Sequence, residues 1–119
     1  MSEIRKNKNR VIRRKFRVRK ALRRLYSNDK VRVSVFRSLN YISAQVIDDR
    51  NAVTIASISS KNIEQNADKS ELSYKAGILL GNKILELGYK EILFDRGAYL
   101  YHGRVKKFAD GIRNTGINF

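Results

Sequence analysis

Several residue types that build common functional sites are missing from this sequence of 119 residues. It contains no cysteine, no proline and no tryptophan, and its only histidine is His102. The lack of cysteine excludes a disulfide framework, a thiolate zinc site and a cysteine nucleophile. One histidine cannot form a histidine metal cage, and the glycine patterns of Walker and dinucleotide-binding loops do not occur. We therefore expect neither a cofactor nor a small-molecule substrate.

Long apolar segments are missing as well. The longest aliphatic run is Ile78-Leu79-Leu80, whereas a membrane-spanning helix needs roughly 20 residues. Residues 1–8 are polar and basic and lack the apolar core of a secretory signal. With 42% hydrophobic residues the chain can still fill one core, and its length suits one compact domain. These features predict a soluble domain with no membrane partner. The arginine-rich start resembles an organellar transit peptide, so an organellar origin stays open beside the expected cytoplasmic location.

Acidic residues are scarce at the beginning of the chain. The sequence carries a formal net charge of +15, and residues 1–24 hold 12 of its 26 lysines and arginines, with Glu3 as their only acid. We call residues 1–24 the basic head. A solvated helix face normally mixes both signs, because like charges four residues apart repel each other. The unmixed charge of the basic head predicts an anionic partner.

A helix is expected across residues 10–26, although its charges oppose it. Its apolar stripe consists of Val11, Val18, Leu22 and Leu25, with Ile12 and Phe16 outside the stripe. Like-charged pairs four residues apart cost about 0.2–0.5 kcal/mol each, roughly 1–2.5 kcal/mol in sum for this segment. The start of the helix should therefore fray until an anion docks. We place a boundary between this basic tail and helix (1–26) and an α/β domain (27–119).

Beyond residue 27, periodicity predicts strands and helices in alternation. Expected strands cover residues 31–36, 41–47, 52–58 and 92–94, and expected helices run from an N-cap at Ser70 to Gly88 and from Val105 to Gly116. Short polar links make the first three strands antiparallel, and the right-handed crossover rule makes the fourth parallel to one of them. The fold class is therefore α/β, a single domain of order α-β-β-β-α-β-α with a mixed sheet. Gly77 and Gly81 inside a helix indicate close packing of that helix on the sheet.

The segment 96–104 is the best candidate for a binding site. It combines two arginines with Tyr99, Tyr101 and His102 immediately before a helix. A helix start offers free backbone N–H groups to phosphate, and aromatic rings stack on unpaired RNA bases. The alternative makes both tyrosines core anchors and His102 a capping residue, and the residues alone leave the two interpretations open. We expect one tyrosine to belong to the core and the other, with His102, to face RNA.

An enzymatic alternative rests on three aspartates. Asp48, Asp49 and Asp95 stand at the ends of predicted strands, where a magnesium-dependent nuclease holds its metal ligands. Turn chemistry explains Asp48 and Asp49 without catalysis, and a cap or a salt bridge to Arg96 explains Asp95. The nuclease is therefore the alternative to a non-enzymatic binding protein.

The most specific patterns are short stretches in the strands, in the segment 96–104 and at the C-terminus. They are Val35-Phe36-Arg37-Ser38, Ala44-Gln45-Val46-Ile47-Asp48-Asp49, Phe94-Asp95-Arg96-Gly97, Tyr101-His102-Gly103-Arg104-Val105 and Gly116-Ile117-Asn118-Phe119. Together they resemble the bacterial L-eighteen family of large-subunit ribosomal proteins, which bind 5S ribosomal RNA (rRNA), and the resemblance covers essentially the whole chain. Val31, Tyr41, Ser43 and Lys107-Phe108 stand where the family often has proline, histidine, tyrosine and Ala-Leu. Tyr41, on the same strand face as Ser43, could supply the ring that position 43 lacks.

The resemblance implies a structural role without catalysis. It implies an α/β RNA-binding domain in the large ribosomal subunit, which binds 5S rRNA, helps attach it to 23S rRNA in the central protuberance and lies beside other 5S-binding proteins. The residues that would contact RNA are Arg10, Arg13, Arg14, Lys15, Arg17, Arg19, Lys20, Arg23, Arg24, Arg32, Arg37, Ser38, Tyr41, Arg96, Tyr99, Tyr101, His102, Arg104 and Lys106.

Overall fold

A computed structural model describes residues 3–23, 30–63 and 68–119 of the chain. Its helices are α1 (Glu3–Arg23), α2 (Lys69–Glu86) and α3 (Gly103–Asn114). Its strands are β1 (Lys30–Arg37), β2 (Ile42–Asp48), β3 (Val53–Ser59) and β4 (Glu91–Asp95), and a short 3-10 helix (Ser60–Asn62) follows β3. The predicted order α-β-β-β-α-β-α is confirmed. The boundary predicted after residue 26 lies outside the described residues.

The four strands form one mixed sheet in the order β3-β2-β1-β4. β2 pairs antiparallel with β1 and with β3, and β4 pairs parallel with β1. In the middle of β1, Val33 lies opposite Val46 on one side and Phe94 on the other. The predicted sheet of three antiparallel strands and one parallel strand is therefore confirmed, and the parallel partner of β4 is the first strand.

Alternation along the strands separates two faces of the sheet. On β1, the side chains of Val31, Val33 and Val35 are buried in one cluster with Leu80 of α2 and Phe108 of α3. The side chains between them point to the opposite side, which we call the open face. It carries Arg32, Ser34 and Phe36 of β1, Ser43 and Gln45 of β2, and Ser57 of β3. Because α2 and α3 cover only one face, the polar residues of the other can meet solvent or a partner.

Glycines lie where α2 and α3 pack together. A Cβ atom added to Gly77 would overlap the carbonyl oxygen of Phe108, and one added to Gly111 would overlap that of Tyr74. Gly81 faces the side chain of Thr115 just beyond α3. The expectation that Gly77 and Gly81 pack on the sheet is therefore wrong. They let the backbone of α2 approach α3 and its C-terminal end, and this close contact determines where α3 lies.

All three helices begin earlier than expected, and α3 begins at Gly103 instead of Val105. Asp68 rather than Ser70 is the N-cap of α2, because its Oδ1 accepts a hydrogen bond of 2.8 Å from the N–H of Glu71. The spacing of Asp68 and Glu71 is that of a capping box, which Ser70 could not form. α1 begins at Glu3 instead of residue 10, since the lysines and arginines before residue 10 are good helix formers. No helix within the described ranges is long and apolar enough to cross a membrane.

Candidate nucleic-acid interface

The parallel pairing of β1 and β4 brings two predicted binding segments to one end of the sheet. Both strands end there, so the turn after Arg37 and the loop after Asp95 are neighbours. Three hydrogen bonds join them: the Arg37 N–H donates to the hydroxyl of Tyr99 at 3.0 Å, that hydroxyl donates to the Arg37 carbonyl at 3.3 Å, and Nη2 of Arg104 donates to the carbonyl of Ser38 at 3.0 Å. We call residues 37–41 and 96–104 the sheet-end site. Segments about 60 residues apart in the chain therefore form a single surface.

Tyr99 is the anchor of the sheet-end site. Its hydroxyl accepts from the Arg37 N–H and donates to the Arg37 carbonyl at 3.3 Å, and its half-buried ring packs against the core. The guanidinium of Arg37 lies 5.1 Å from the centre of this ring. The ring thus holds the arginine at the surface by a cation–π contact. Tyr99 corresponds to the core interpretation that the sequence left open.

Tyr101 has a more exposed position. Its ring is 39% exposed and meets Phe94 edge to face, with 6.3 Å between the ring centres. Its hydroxyl accepts a hydrogen bond from Arg113, whose guanidinium lies 5.8 Å from the Tyr101 ring centre. One edge of the ring is therefore packed and oriented, while part of its surface faces solvent. Of the two tyrosines, Tyr101 is the better placed for stacking on a base.

The first turn of α3 supplies donors to the same surface. His102 is the N-cap residue but makes no side-chain capping hydrogen bond, and its side chain is exposed. No acidic residue occupies the first turn of α3. Nη1 of the half-buried Arg104 is enclosed without a hydrogen-bond partner in the described part of the chain. Backbone N–H groups at a helix start and an arginine beside them favour an anion.

The other predicted residues of the sheet-end site differ in how firmly their side chains are held. Arg96 donates a hydrogen bond to the carbonyl of Tyr99, within its own loop. The hydroxyl of Ser38 accepts from the N–H of Tyr41 at 3.1 Å, which is the turn role that its sequence position also allowed. The side chains of Tyr41 and, on α3, Lys106 are exposed. Arg96 and Ser38 thus shape the surface, whereas Tyr41 and Lys106 can reach a ligand.

Arg32 lies between two acids on the open face. Its Nε and Nη2 donate to Asp49 at 2.9 and 3.0 Å, and its Nη1 donates to Asp95 at 2.9 Å. The hydrogen bonds to Asp49 raise the pKa of Arg32 above its usual value, burial opposes that rise, and Asp95 adds to it. The guanidinium is held by these pairs, so its predicted contact with RNA would require sharing it with Asp49 or Asp95. This contact stays a prediction.

The three aspartates of the nuclease alternative do not meet as metal ligands. Asp48 accepts hydrogen bonds from the N–H of Arg50 at 3.1 Å and from the amide of Asn51 at 2.8 Å, which is turn chemistry. The Arg32 guanidinium bridges Asp49 and Asp95. Among the described residues, no group of three histidine, cysteine, aspartate or glutamate side chains could hold a metal ion. The nuclease alternative therefore has no support in this geometry.

The helix α1 presents the charge of the basic head beside this region. Its side chains at Arg10, Arg13, Lys15, Arg17, Arg19 and Lys20 are exposed, and that of Arg14 is half-buried. Nε of Arg19 lies 3.9 Å from Oδ2 of Asp95 at the end of β4. The side chain of Arg23 and the whole of Arg24 lie outside the described part of the chain. The contact at Asp95 places α1 next to the sheet-end site.

Comparison with known proteins identifies the family. A family profile described as "Ribosomal L18 of archaea, bacteria, mitochondria and chloroplast" matches residues 5–119. The chain belongs to the ribosomal L18 family. It is 48% identical over 107 residues to the large ribosomal subunit protein uL18 of Thermus thermophilus, covering 90% of this chain and 93% of the relative. It is 46% identical over 121 residues to uL18 of Staphylococcus aureus strain JH9, covering 100% of this chain and 99% of the relative. It is 50% identical over 99 residues to uL18 of Aster yellows phytoplasma, covering 76% and 87%.

Membership of the L18 family makes this chain a protein of the large ribosomal subunit. The resemblance seen in the short stretches of the sequence is thereby confirmed. The described residues also include one group that these stretches did not reveal. Arg113 lies 4.2 Å from the ring centre of Phe119 and also contacts Tyr101, while Phe119 stacks on Phe94 at 5.4 Å. The basic residue at 113 gave no local sign of this role, because its aromatic partners come from β4, the loop and the C-terminus.

Proposed function

We propose that this L18 family protein binds 5S rRNA and helps attach it to 23S rRNA in the central protuberance of the large subunit. The observation that supports it most is the sheet-end site. There Arg37 and Arg104 are joined through Tyr99 and Ser38 near the start of α3, and the loop before α3 also carries the partly exposed ring of Tyr101. Cations and a helix start bind phosphates, and an exposed ring binds an unpaired base. A surface with both features suits a folded RNA that has loops as well as duplexes.

The basic head would supply most of the affinity. Each phosphate that a lysine or arginine neutralises releases condensed counterions, and this gain does not depend on base sequence. Among the side chains of α1 that the structure describes, six cations are exposed, and they lie along a helix instead of in one spot. Arg10 precedes Arg19 by nine residues, or about 14 Å of helix at 1.5 Å per residue. Cations spread over this distance could bridge two RNA segments, which supports a role in joining 5S to 23S rRNA.

Other 5S-binding proteins of the large subunit are included in the proposal as neighbours. Phe36 and Leu39, at and beside the β1–β2 turn, have side chains that are 62% and 79% exposed. Two exposed apolar side chains so close together suit burial by another macromolecule. A neighbouring protein or the RNA itself could cover them in the assembled subunit.

Competitive binding tests the proposed recognition of 5S rRNA. Labelled bacterial 5S rRNA bound to the protein at physiological salt is challenged with unlabelled 5S rRNA or with transfer RNA, which is also folded but is not a ribosomal RNA. We expect 5S rRNA to compete at much lower concentration, since base contacts and RNA shape add to the nonspecific charge effect. Equal competition by the two RNAs would contradict the proposal. Addition of 23S rRNA should then yield a complex that contains both RNAs only when the protein is present.

Matched charge variants locate the site. Arg37→Ala and Arg104→Ala each remove one cation from the sheet-end site, whereas Arg50→Ala removes one from the turn between β2 and β3 at the opposite end of the sheet. The first two should weaken 5S binding and reduce the magnitude of the salt slope by about one contact each. Arg50→Ala should leave both nearly unchanged. The same loss in all three variants would mean that overall charge, and not the sheet-end site, determines binding.

A further inference from the structure

Asp95 is a buried carboxylate that touches three RNA-facing parts of the protein. Its Oδ2 accepts a hydrogen bond of 2.9 Å from Arg32 on the open face and lies 3.9 Å from Nε of Arg19 on α1. Its Oδ1 accepts a hydrogen bond of 2.9 Å from the N–H of Gly97 in the loop of the sheet-end site. The Asp95 side chain is 3% exposed, whereas that of Arg19 is 62% exposed. A single enclosed acid thus connects the strand, the loop and the helix.

Because Asp95 is buried, its contacts constrain where its partners lie. A buried charge is costly unless charged or hydrogen-bonding partners surround it. Asp95 therefore favours arrangements in which Arg32, Arg19 and the Gly97 N–H all point at it. Arg32 extends the chain of contacts to Asp49 in the turn after β2. Arg19 lies in the last turns of α1, so its contact with Asp95 holds one point of α1 against the end of β4.

We propose that Asp95 is a positioning residue for RNA binding: it aligns α1 with the loop of the sheet-end site, so that both present their cations to one RNA. The inference rests on the proposed function, and Asp95 itself need not touch the RNA. If a misaligned α1 has to be reoriented on binding, the apparent association constant equals the intrinsic one multiplied by the fraction of molecules that are already aligned. An acid in a protein that binds a polyanion would then strengthen the binding.

The sign of the effect makes this testable. Asp95→Asn is nearly isosteric: its Oδ1 can still accept from Gly97, but an NH2 group replaces the oxygen that faces Arg32 and Arg19. Asp110→Asn is the matched control, because it removes the same charge from an acid that lies 3.9 Å from Arg113 on α3. Both variants raise the net charge by one, and charge alone predicts that both bind RNA more tightly. Positioning predicts that Asp95→Asn binds bacterial 5S rRNA roughly three- to tenfold more weakly, while Asp110→Asn binds at least as tightly as the wild type.

Transfer RNA provides the second arm of the experiment. The affinity of Asp95→Asn for transfer RNA should not fall, because nonspecific binding needs cations but no fixed alignment. Melting temperatures of both variants are measured first. A folded Asp95→Asn protein that binds 5S rRNA as tightly as the wild type, or more tightly, would overturn the inference. If the wild-type protein itself shows no preference for 5S rRNA, the proposed function fails instead.

A measurement on the free protein keeps the inference testable if Asp95→Asn does not fold. Arg19→Ala removes the contact of α1 with Asp95, whereas Arg17→Ala removes a cation from the same helix that has no ion pair in the described part of the chain. In Arg19→Ala, amide hydrogen exchange in residues 16–22 should speed up by up to roughly fivefold, which is the change expected from the loss of one half-exposed ion pair. In Arg17→Ala it should remain unchanged. Equal exchange in the two variants would show that Asp95 does not hold α1, whatever RNA the protein binds.

Discussion

The surroundings of Tyr99 and Tyr101 predict that truncation of these two rings damages different properties. Tyr99 exchanges two hydrogen bonds with the backbone of Arg37, each worth about 0.5–1.5 kcal/mol, and holds its guanidinium 5.1 Å from the ring centre, worth about 0.5–1 kcal/mol. Its half-buried ring also packs on the core. We therefore expect Tyr99→Ala to lower the free energy of unfolding by about 2–4 kcal/mol.

Tyr101 should matter less for stability and more for binding. Its edge contact with Phe94 contributes about 0.5–1.5 kcal/mol, and the cation–π contact with Arg113 about 0.5–1 kcal/mol. We expect Tyr101→Ala to cost about 1–2.5 kcal/mol of stability from these contacts. Stacking of the ring on an unpaired base would make the same change cost about 1–3 kcal/mol of 5S rRNA binding.

Thermal unfolding and RNA titrations at several salt concentrations measure the two effects. Tyr101→Phe is the matched control: it keeps the ring and loses only the hydroxyl that meets Arg113, so its RNA affinity should stay near that of the wild type. The salt slope should not change in the Tyr101 variants, because no phosphate contact is lost. Normal 5S binding by folded Tyr101→Ala would refute the stacking role. If Tyr99→Ala and Tyr101→Ala both melt early and bind 5S rRNA normally once folded, the loop is architecture, and recognition rests on the basic head and the turn of Arg37 and Ser38.

Three further predictions concern the helices. Gly77→Ala should lower the free energy of unfolding by about 1–3 kcal/mol, because the new methyl group meets the α3 backbone. Asn82→Ala, on the exposed side of α2, is the control and should not destabilise the protein. Equal denaturation midpoints for Gly77→Ala and the wild type would contradict this prediction. For the full chain, a plot of log K against log salt should have a slope of roughly −4 to −7, as expected for about six to eight neutralised phosphates. Deletion of residues 1–24 should make this slope much flatter. An unchanged slope would count against the role of the basic head. Like-charge repulsion should make amides 3–15 exchange quickly in the free protein and slowly in the RNA complex, so slow exchange without RNA would speak against folding on binding.

Local patterns in the sequence determine much of this protein. The alternation of Val31, Val33 and Val35 with polar residues indicates a strand with one buried face. The spacing of Val105, Phe108 and Ile112 indicates a helix with one buried stripe. The handedness of crossover connections makes β4 parallel to one of the first three strands, and the sequence is enough to predict this. The concentration of positive charge in residues 1–24 follows from the order of residues in the sequence and needs no tertiary structure. Element order, the mixed sheet and the basic helix could all be predicted for these reasons.

Only the tertiary structure decided what lies opposite each face. Periodicity shows that a residue is buried, but it contains no information on which distant segment buries it. The glycines of α2 therefore pointed to a close approach, and it took the fold to show that Gly77 meets α3 and not the sheet. Tyr99 and Tyr101 are equivalent in the sequence, yet Arg37, 62 residues away, makes one of them an anchor. From the sequence, Asp95 is an acid at the start of a loop. The pairing of β1 with β4 brings Arg32, which is 63 residues earlier in the chain, to its carboxylate. Long-range pairing, which no local pattern encodes, assigns each of these side chains its role.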